Sequence, residues 1–211
     1  MTDLTMITLY GHPDSGHACK VALALSLAGI AHETVFVDIW AAPETRPPAF
    51  LAASPLAQVP ALVLEDAALT QSGAILLEIA SRWRVLGGDS PEGLRRGAEL
   101  LMWEANRIGM CLPQLIEARR PHGDSFPDGA VEWLTGRYET DRENFDRLLG
   151  EGPFFHGEAP GLGDCAIWGY VQWLEKAGVA PSASMATWID RMQALPGMKT
   201  AEAFFPQPQT A

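Results

Sequence analysis

Residues 55–76 read PLAQVPALVLEDAALTQSGAIL. Two short β-like runs, Ala61–Leu64 and Ala68–Thr70, flank Glu65-Asp66-Ala67 and predict a hairpin. Pro60 stands at the start of the first run, where a proline is tolerated because no ladder needs its missing N–H. Two readings stand for it. It is an ordinary trans proline on an edge strand, or it is a cis proline that turns the Val59 N–H and C=O outward to pair with an extended peptide. Beyond the hairpin, Ile75, Leu76, Ile79, Ala80 and Trp83 recur at helical spacing. Ser72 is a natural N-cap for that helix. Free amides at a helix N-terminus, with a hydroxyl beside them, also suit a bound carboxylate.

Upstream, Thr5–Tyr10 reads as a strand with Ile7 and Leu9 on one face. Ala18, Val21, Ala22 and Leu25 then mark a helix, with Gly29 as its stop. Thr34–Asp38 is a second strand and Phe50–Ala53 a short helix ending before Pro55. The order β-α-β-α-β-β-α is the thioredoxin-like arrangement. Ser15 stands at the first helix's N-terminus, where a hydroxyl and the positive end of the helix dipole favour a thiolate or oxyanion, or where it simply caps. Cys19, one turn on, reads as a small buried hydrophobe.

After residue 84 every periodic segment is helical. Gly87-Gly88-Asp89-Ser90-Pro91 is the linker, with Ser90 as cap and Pro91 at the first helical position. A long stripe from Leu94 to Leu112 follows, and Pro113 predicts a kink or break there. A second helix runs through Val131, Leu134, Tyr138, Phe145 and Leu149, interrupted by Asp141. A third spans Asp164–Ala177 and stops at Gly178. A fourth opens at Ser184 and ends at Leu195-Pro196-Gly197. The expected division is residues 1–84, thioredoxin-like, and 90–211, all-helical.

Composition narrows the function. The chain has 211 residues, 47% of them apolar and 19% charged, enough for one large or two small cored domains. With 15 Lys+Arg against 26 Asp+Glu its net charge is −11. That is unsuited to a phosphate backbone, which is gripped by Lys/Arg, or to an anionic membrane. The first basic residue is Lys20, so no charged signal-peptide start is expected, and Val21–Ala31 is too short to span a bilayer. Cys19, Cys111 and Cys165 fit neither a disulfide framework nor a zinc site. A reducing cytoplasm is the expected compartment. No Gly-x-Ser-x-Gly surrounds Ser15, which argues against a serine hydrolase.

Taken together, Leu9-Tyr10-Gly11 through Ser15-Gly16, Lys20-Val21, the 55–62 stretch, Gln71 to Leu76, Gly163-Asp164 and Trp188 to Lys199 resemble the cytosolic glutathione transferase family, bacterial serine-type, theta/nu-like branch. The resemblance runs from about residue 5 to about 200. It implies a thioredoxin-like domain followed by the family's all-helical C-terminal domain. It implies a detoxifying transferase with glutathione as co-substrate, no metal, and assembly as a homodimer. Ser15 would hydrogen-bond the glutathione sulfur, and His17 would add a second donor. Pro60 would be cis, with the Val59 backbone pairing the cysteinyl part. Gln71 and Ser72 would hold the γ-glutamyl end and Gln58 the glycyl end. Pro13, Trp103, Asn106 and Arg107 would border a small hydrophobic electrophile. Tyr10, inside its strand, is not the catalytic tyrosine of other branches.

Three departures stand out against that pattern. Gln71 replaces a common Glu, His17 an Asn, and Gly161 the Ser or Thr of a capping box. A charged His17 would place a pH-dependent step near 6.5. Two further functions compete on the same scaffold. One is glutathione-dependent peroxide or disulfide reduction, which would use glutathione's own thiol because positions 12–15 lack cysteine. The other is non-catalytic binding. A ring-opening isomerase is disfavoured, since no serine-rich, arginine-containing motif lies near Ser15.

Overall fold

The computed structural model describes residues 7–121 and 125–208. Strand β1 (Thr8–Gly11) lies inside a four-stranded sheet of order β2-β1-β3-β4. It pairs parallel with β2 (Glu33–Phe36) and antiparallel with β3 (Ala61–Val63), which closes the hairpin onto β4 (Ala68–Thr70). Leu9 faces Thr34 on one side and Leu62 on the other. Two parallel strands need a crossover, and α1 (Gly16–Leu27) supplies it. The Thr5–Tyr10 expectation overlaps β1, although Thr5 and Met6 fall outside the described residues. β2 ends earlier than Asp38 because that carboxylate accepts the amides of Trp40 (2.9 Å) and Ala41 (3.2 Å), turning the chain.

Helix α1 is buried on every side. Its expected apolar stripe is covered, and so are Leu23, Ala24 and even Lys20. It lies between the sheet and the helical half, packed on α3 (Ser72–Trp83) and on α7 (Leu162–Val171). The approach to α7 is set by two glycines. A Cβ at Gly16 would lie 2.5 Å from the Gly169 carbonyl oxygen, and one at Gly169 would lie 2.6 Å from Lys20 Cγ. Side chains at either position would hold the two halves apart. The short α2 (Pro48–Ala53) covers the other sheet face, where Phe50 and Tyr10 pack at a centroid separation of 5.6 Å.

The helical half comprises α4 (Pro91–Asn106), α5 (Ile108–Ala118), α6 (Ala130–Leu149), α7, α8 (Leu174–Ala177), α9 (Ala183–Gln193) and α10 (Ala201–Phe204) among the described residues. Of the kink or break expected at Pro113, the break is corrected: Pro113 sits within α5, and the chain breaks at Arg107 (φ −122°, ψ −100°). There the Arg107 guanidinium reaches Asp141 at 2.8 Å. Asp141, which interrupts the apolar stripe of α6, is fully buried, while its Arg107 partner is half-buried. The helix expected over Asp164–Ala177 is two, divided at Gln172-Trp173, and α9 is capped by Ser182 rather than opened by Ser184. Gly178 does end α8, in the left-handed conformation glycine favours there.

The start of α7 is the anchor of this half. Asp164 is buried and accepts from Gly161 N–H (2.9 Å), Phe155 N–H (3.1 Å) and Trp188 Nε1–H (2.9 Å). Gly161 has no side chain to return the bond a capping box requires. The His156 ring stands where a side chain at 161 would go, with Nδ1 2.6 Å from a built Cβ, and its Nε2 accepts from Gly163 N–H at 3.2 Å. An imidazole thus does the work of the missing hydroxyl. Burial, and then the Arg96 charge, hold its pKa down to about 4, so the ring is neutral and able to accept. In the unfolded chain it protonates near 6.5, so its contribution is complete above that pH and is lost as pH falls toward about 4. Asp164, raised by burial to about 6, works in the opposite sense over the same interval. Gly161→Ser alone should destabilise by collision with the ring, whereas Gly161→Ser with His156→Ala should recover the cap. The double variant should also lose less stability than wild type between pH 7 and pH 5 in urea unfolding. Equal losses would show that the ring is not the acceptor.

Candidate functional site

A cleft of about 800 Å³ opens between the sheet domain and α4. It is lined by Ser15, His17, Gln58, Val59, Pro60, Gln71 and Ser72 together. Residues separated by more than fifty positions in sequence meet there because the strand ends deliver them to one edge of the sheet. The Val59–Pro60 peptide is cis.

Ser15 caps α1, its Oγ accepting from Ala18 N–H at 3.2 Å. Among the described residues its own proton has no acceptor, so the hydroxyl is free to donate into the cleft. At α3 the expected cap is displaced by one residue. Gln71, in the left-handed region at φ 68°, holds the cap position without a side-chain hydrogen bond, and Ser72 is the first helical residue. A non-glycine residue at positive φ is costly and tends to persist at functional sites. The consequence is that no side chain caps the first amides of α3, and these add to the positive end of a helix twelve residues long.

The Ser72 hydroxyl instead lies 3.4 Å from His17 Nδ1. Lys20 Nζ lies 3.1 Å from the same nitrogen, and the His17 ring stands edge-on to Tyr170 at 5.1 Å. Burial, then the Lys20 charge, lowers the His17 pKa to about 3. His17 is therefore neutral at physiological pH, and the expected step near 6.5 does not arise from it.

Four residues were given no role at the site from sequence. Lys20 and Glu104 form a buried ion pair across the base of the cleft, Nζ to Oε1 at 2.8 Å. Each is a lone charge on an otherwise apolar helical face, which is the signal that marks them. Ser54 donates to Gln58 O (2.8 Å) and accepts from Gln58 N–H (3.1 Å), bracing the turn that presents Gln58; the Ser-Pro dipeptide announces that turn. Arg46 donates to the carbonyls of Ala57 and Ile39, the latter at 2.9 Å, and brings a positive charge beside Gln58.

Trp103, Asn106 and Arg107 do not line the cleft. Helix α4 turns Leu101, Met102, Glu104 and Ala105 to it, so the expected residues lie on another face. Trp103 packs on the helical core, Asn106 donates to Met102 O at 2.9 Å, and Arg107 holds Asp141. Pro13 is buried in the loop before α1, its carbonyl facing Cys19 Sγ at 3.7 Å. A second, smaller cavity of about 160 Å³ lies beyond Tyr170, walled by Asp14, Trp40, Pro113, Ile116 and Trp173. Trp40 from the sheet domain and Arg120 from the end of α5 meet across it, 4.4 Å from ring centroid to guanidinium.

No cysteine lines either cavity. All three are buried, which pushes Cys19 and Cys111 up to about 12 and raises Cys165 as well. Among the described residues no group of three or more His, Cys, Asp or Glu is placed to hold a metal, and no helix is long and apolar enough to cross a membrane.

A thioredoxin-like sheet domain joined to an all-helical domain, with a cleft between them, defines the class of glutathione transferase folds. The family model for the glutathione S-transferase N-terminal domain matches residues 5–81, and that for the glutathione S-transferase C-terminal domain matches residues 131–203. The chain belongs to the cytosolic glutathione transferase family. It is 39% identical over 137 residues to Protein URE2 of Eremothecium gossypii, covering 61% of this chain and 38% of that longer protein. It is 28% identical over 207 residues to the disulfide-bond oxidoreductase YfcG of Escherichia coli, covering 90% of this chain and 92% of YfcG. A glutathione transferase homologue from Sulfitobacter, solved with bound glutathione, is 26% identical with a TM-score of 0.71, over 91% of this chain and 94% of its own.

Proposed function

We propose that this chain binds glutathione in the larger cleft, ionises its thiol at the N-terminus of α1, and transfers the thiolate to a small hydrophobic electrophile held in the second cavity. The observation that carries this reading is the placement of the free Ser15 hydroxyl and the uncapped start of α3 in one cleft. A thiolate suits the first and a carboxylate the second. The bound glutathione of the Sulfitobacter homologue supports the ligand. In this reading Ser72 and the α3 amides take the γ-glutamyl carboxylate, the Val59 backbone pairs the cysteinyl part, and Gln58 and Arg46 face the glycyl end. Gln71 contributes no charge to the glutathione amine. The smaller cavity, whose wall combines Trp40, Tyr170 and Trp173 with the charged Asp14, Glu117, Arg120 and Lys176, receives the electrophile; the role first given to Trp103, Asn106 and Arg107 passes to residues such as Trp40 and Tyr170.

Ser72→Ala is expected to weaken glutathione binding by roughly tenfold or more with the fold intact, since a hydrogen bond to a charged group contributes about 1.5–3 kcal/mol. Calorimetry checks it, and an unchanged Kd would move the γ-glutamyl end elsewhere.

Disulfide reduction is the second reading, favoured by the end-to-end similarity to YfcG. With every cysteine buried, it would use glutathione's own thiolate against the substrate disulfide. Retention on a glutathione column followed by assay against electrophiles, hydroperoxides and disulfides decides between the readings. No retention sinks both. Buried free thiols suit a reducing cytoplasm. A homodimer fits the apolar Leu56 (69% exposed) and Met102 (58%) at the cleft rim, and light scattering measures its mass.

A further inference from the structure

The buried charge at the base of the cleft bears on how His17 acts. Lys20 is 1% exposed, and its Nζ lies 2.8 Å from both Oε1 and Oε2 of Glu104 and 3.1 Å from His17 Nδ1. An ammonium has three N–H bonds and no acceptor, so these contacts use it completely. A donor aimed at Nδ1 requires that nitrogen to carry a lone pair. In a neutral imidazole the proton then resides on Nε2. The Ser72 hydroxyl is farther from Nδ1, at 3.4 Å, and keeps its proton for a ligand. The Tyr170 ring stands nearly perpendicular to the imidazole, 5.1 Å away between centroids.

We propose that Lys20, held in place by Glu104 from the helical domain, is a positioning residue that locks His17 as the Nε2–H tautomer, making it a neutral hydrogen-bond donor to the thiolate of bound glutathione. The thiolate half of this proposal rests on the glutathione reading above; the tautomer half does not. An amide at position 17 has a dedicated donor. An imidazole there has two near-equivalent tautomers, of which only one donates from Nε2, so substituting histidine creates a need that the lysine meets. Burial of the ring and of Lys20 keeps the imidazole from protonating instead, in line with its lowered pKa. A buried ion pair is weak support for stability by itself, because desolvation offsets the Coulomb gain. Its place beside the cleft, spanning the two domains, gives it a chemical use. Helix α4 thereby acts on the thiol without touching it.

The test is nitrogen-15 spectroscopy of the His17 imidazole in the free full-length protein at neutral pH, followed by ultraviolet titration of the thiol with saturating glutathione. Wild type should show Nδ1 unprotonated and Nε2 protonated. Lys20→Met should give a tautomer mixture. Because it leaves Glu104 buried alone and endangers folding, Lys20→Met with Glu104→Leu, which removes both charges, is the second variant and should show the same mixture. In both, the pKa of bound thiol should rise by about one unit, a tenfold lower thiolate-to-thiol ratio. Nδ1 protonated in wild type, or an unchanged tautomer in the double variant, overturns the lock. An unmoved thiol pKa with an altered tautomer overturns the donation. Absence of any bound thiol in wild type overturns the glutathione reading together with the donation, while the tautomer signals judge the lock separately.

Discussion

Ser15→Ala should raise the pKa of bound glutathione by about 1–2 units and lower turnover at pH 7 on the order of 10- to 100-fold. The magnitude follows from a hydrogen bond to a charged group, about 1.5–3 kcal/mol, divided by about 1.4 kcal/mol per pKa unit. The Ser15 oxygen accepts from Ala18 N–H and its proton is left for a ligand, so one side chain caps the helix and faces the cleft. The substitution therefore has a second, separable effect. Loss of an N-cap costs about 1 kcal/mol, or roughly 2–4 °C in Tm for a chain of this size. Ultraviolet titration of the bound thiol and a thermal melt of the free protein read the two effects independently. A thiol pKa equal to wild type, with a lowered Tm, would confine Ser15 to capping.

Asp164→Ala should be the most destabilising single change, by on the order of 3–5 kcal/mol. Three donors, Gly161 N–H, Phe155 N–H and Trp188 Nε1–H, converge on this buried carboxylate. Each left unpaired costs about 1–3 kcal/mol, partly offset by removing the desolvation of the carboxylate. Trp188 is itself fully buried among Phe145, Phe155 and Trp168, so a shift of its ring loosens the centre of the helical domain. Against a total stability of about 5–15 kcal/mol the loss is severe. Urea unfolding measures it, and a loss below about 1 kcal/mol would mean that other groups hold α7. Glutathione affinity should fall with the fraction folded rather than at the site, since Asp164 lies outside the cleft.

Much of the molecule is legible in local pattern. The strands, the hairpin at 61–70, the helix from Ser72 and the caps at Ser15 and Ser90 follow from β-branched runs, helical periodicity and short polar side chains at helix entries. The resemblance to the glutathione transferase family points to Ser15, His17, Gln58, Val59, Pro60, Gln71 and Ser72, and these residues do line one cleft; each lies at or next to a junction between elements, where the backbone is fixed by its immediate neighbours. The far side of the site is different. Which face of α4 meets the cleft depends on how the helix rolls against its partners, and neighbouring residues differ by about 100° around the axis. Leu101, Glu104 and Ala105 point inward while Trp103, Asn106 and Arg107 do not.

The same division runs through the charges. Sequence alone determined the order of elements, the two-part architecture, the acidic balance that disfavours nucleic acid, and the i, i+3 spacing of His17 and Lys20 on the helix that Ser15 caps. These are consequences of short-range geometry and composition. Tertiary structure alone decided that Lys20 is buried, that its carboxylate partner is Glu104, 84 positions away, and that the Ser72 hydroxyl approaches His17. It also decided that Arg107, rather than Pro113, marks the helix break, by pairing with Asp141 on α6, and that His156 fills the space left at Gly161. Each of these depends on desolvation and on contacts between elements distant in the chain. The free energy of a buried charge or polar atom is set by what packs around it, and no local pattern specifies that surrounding.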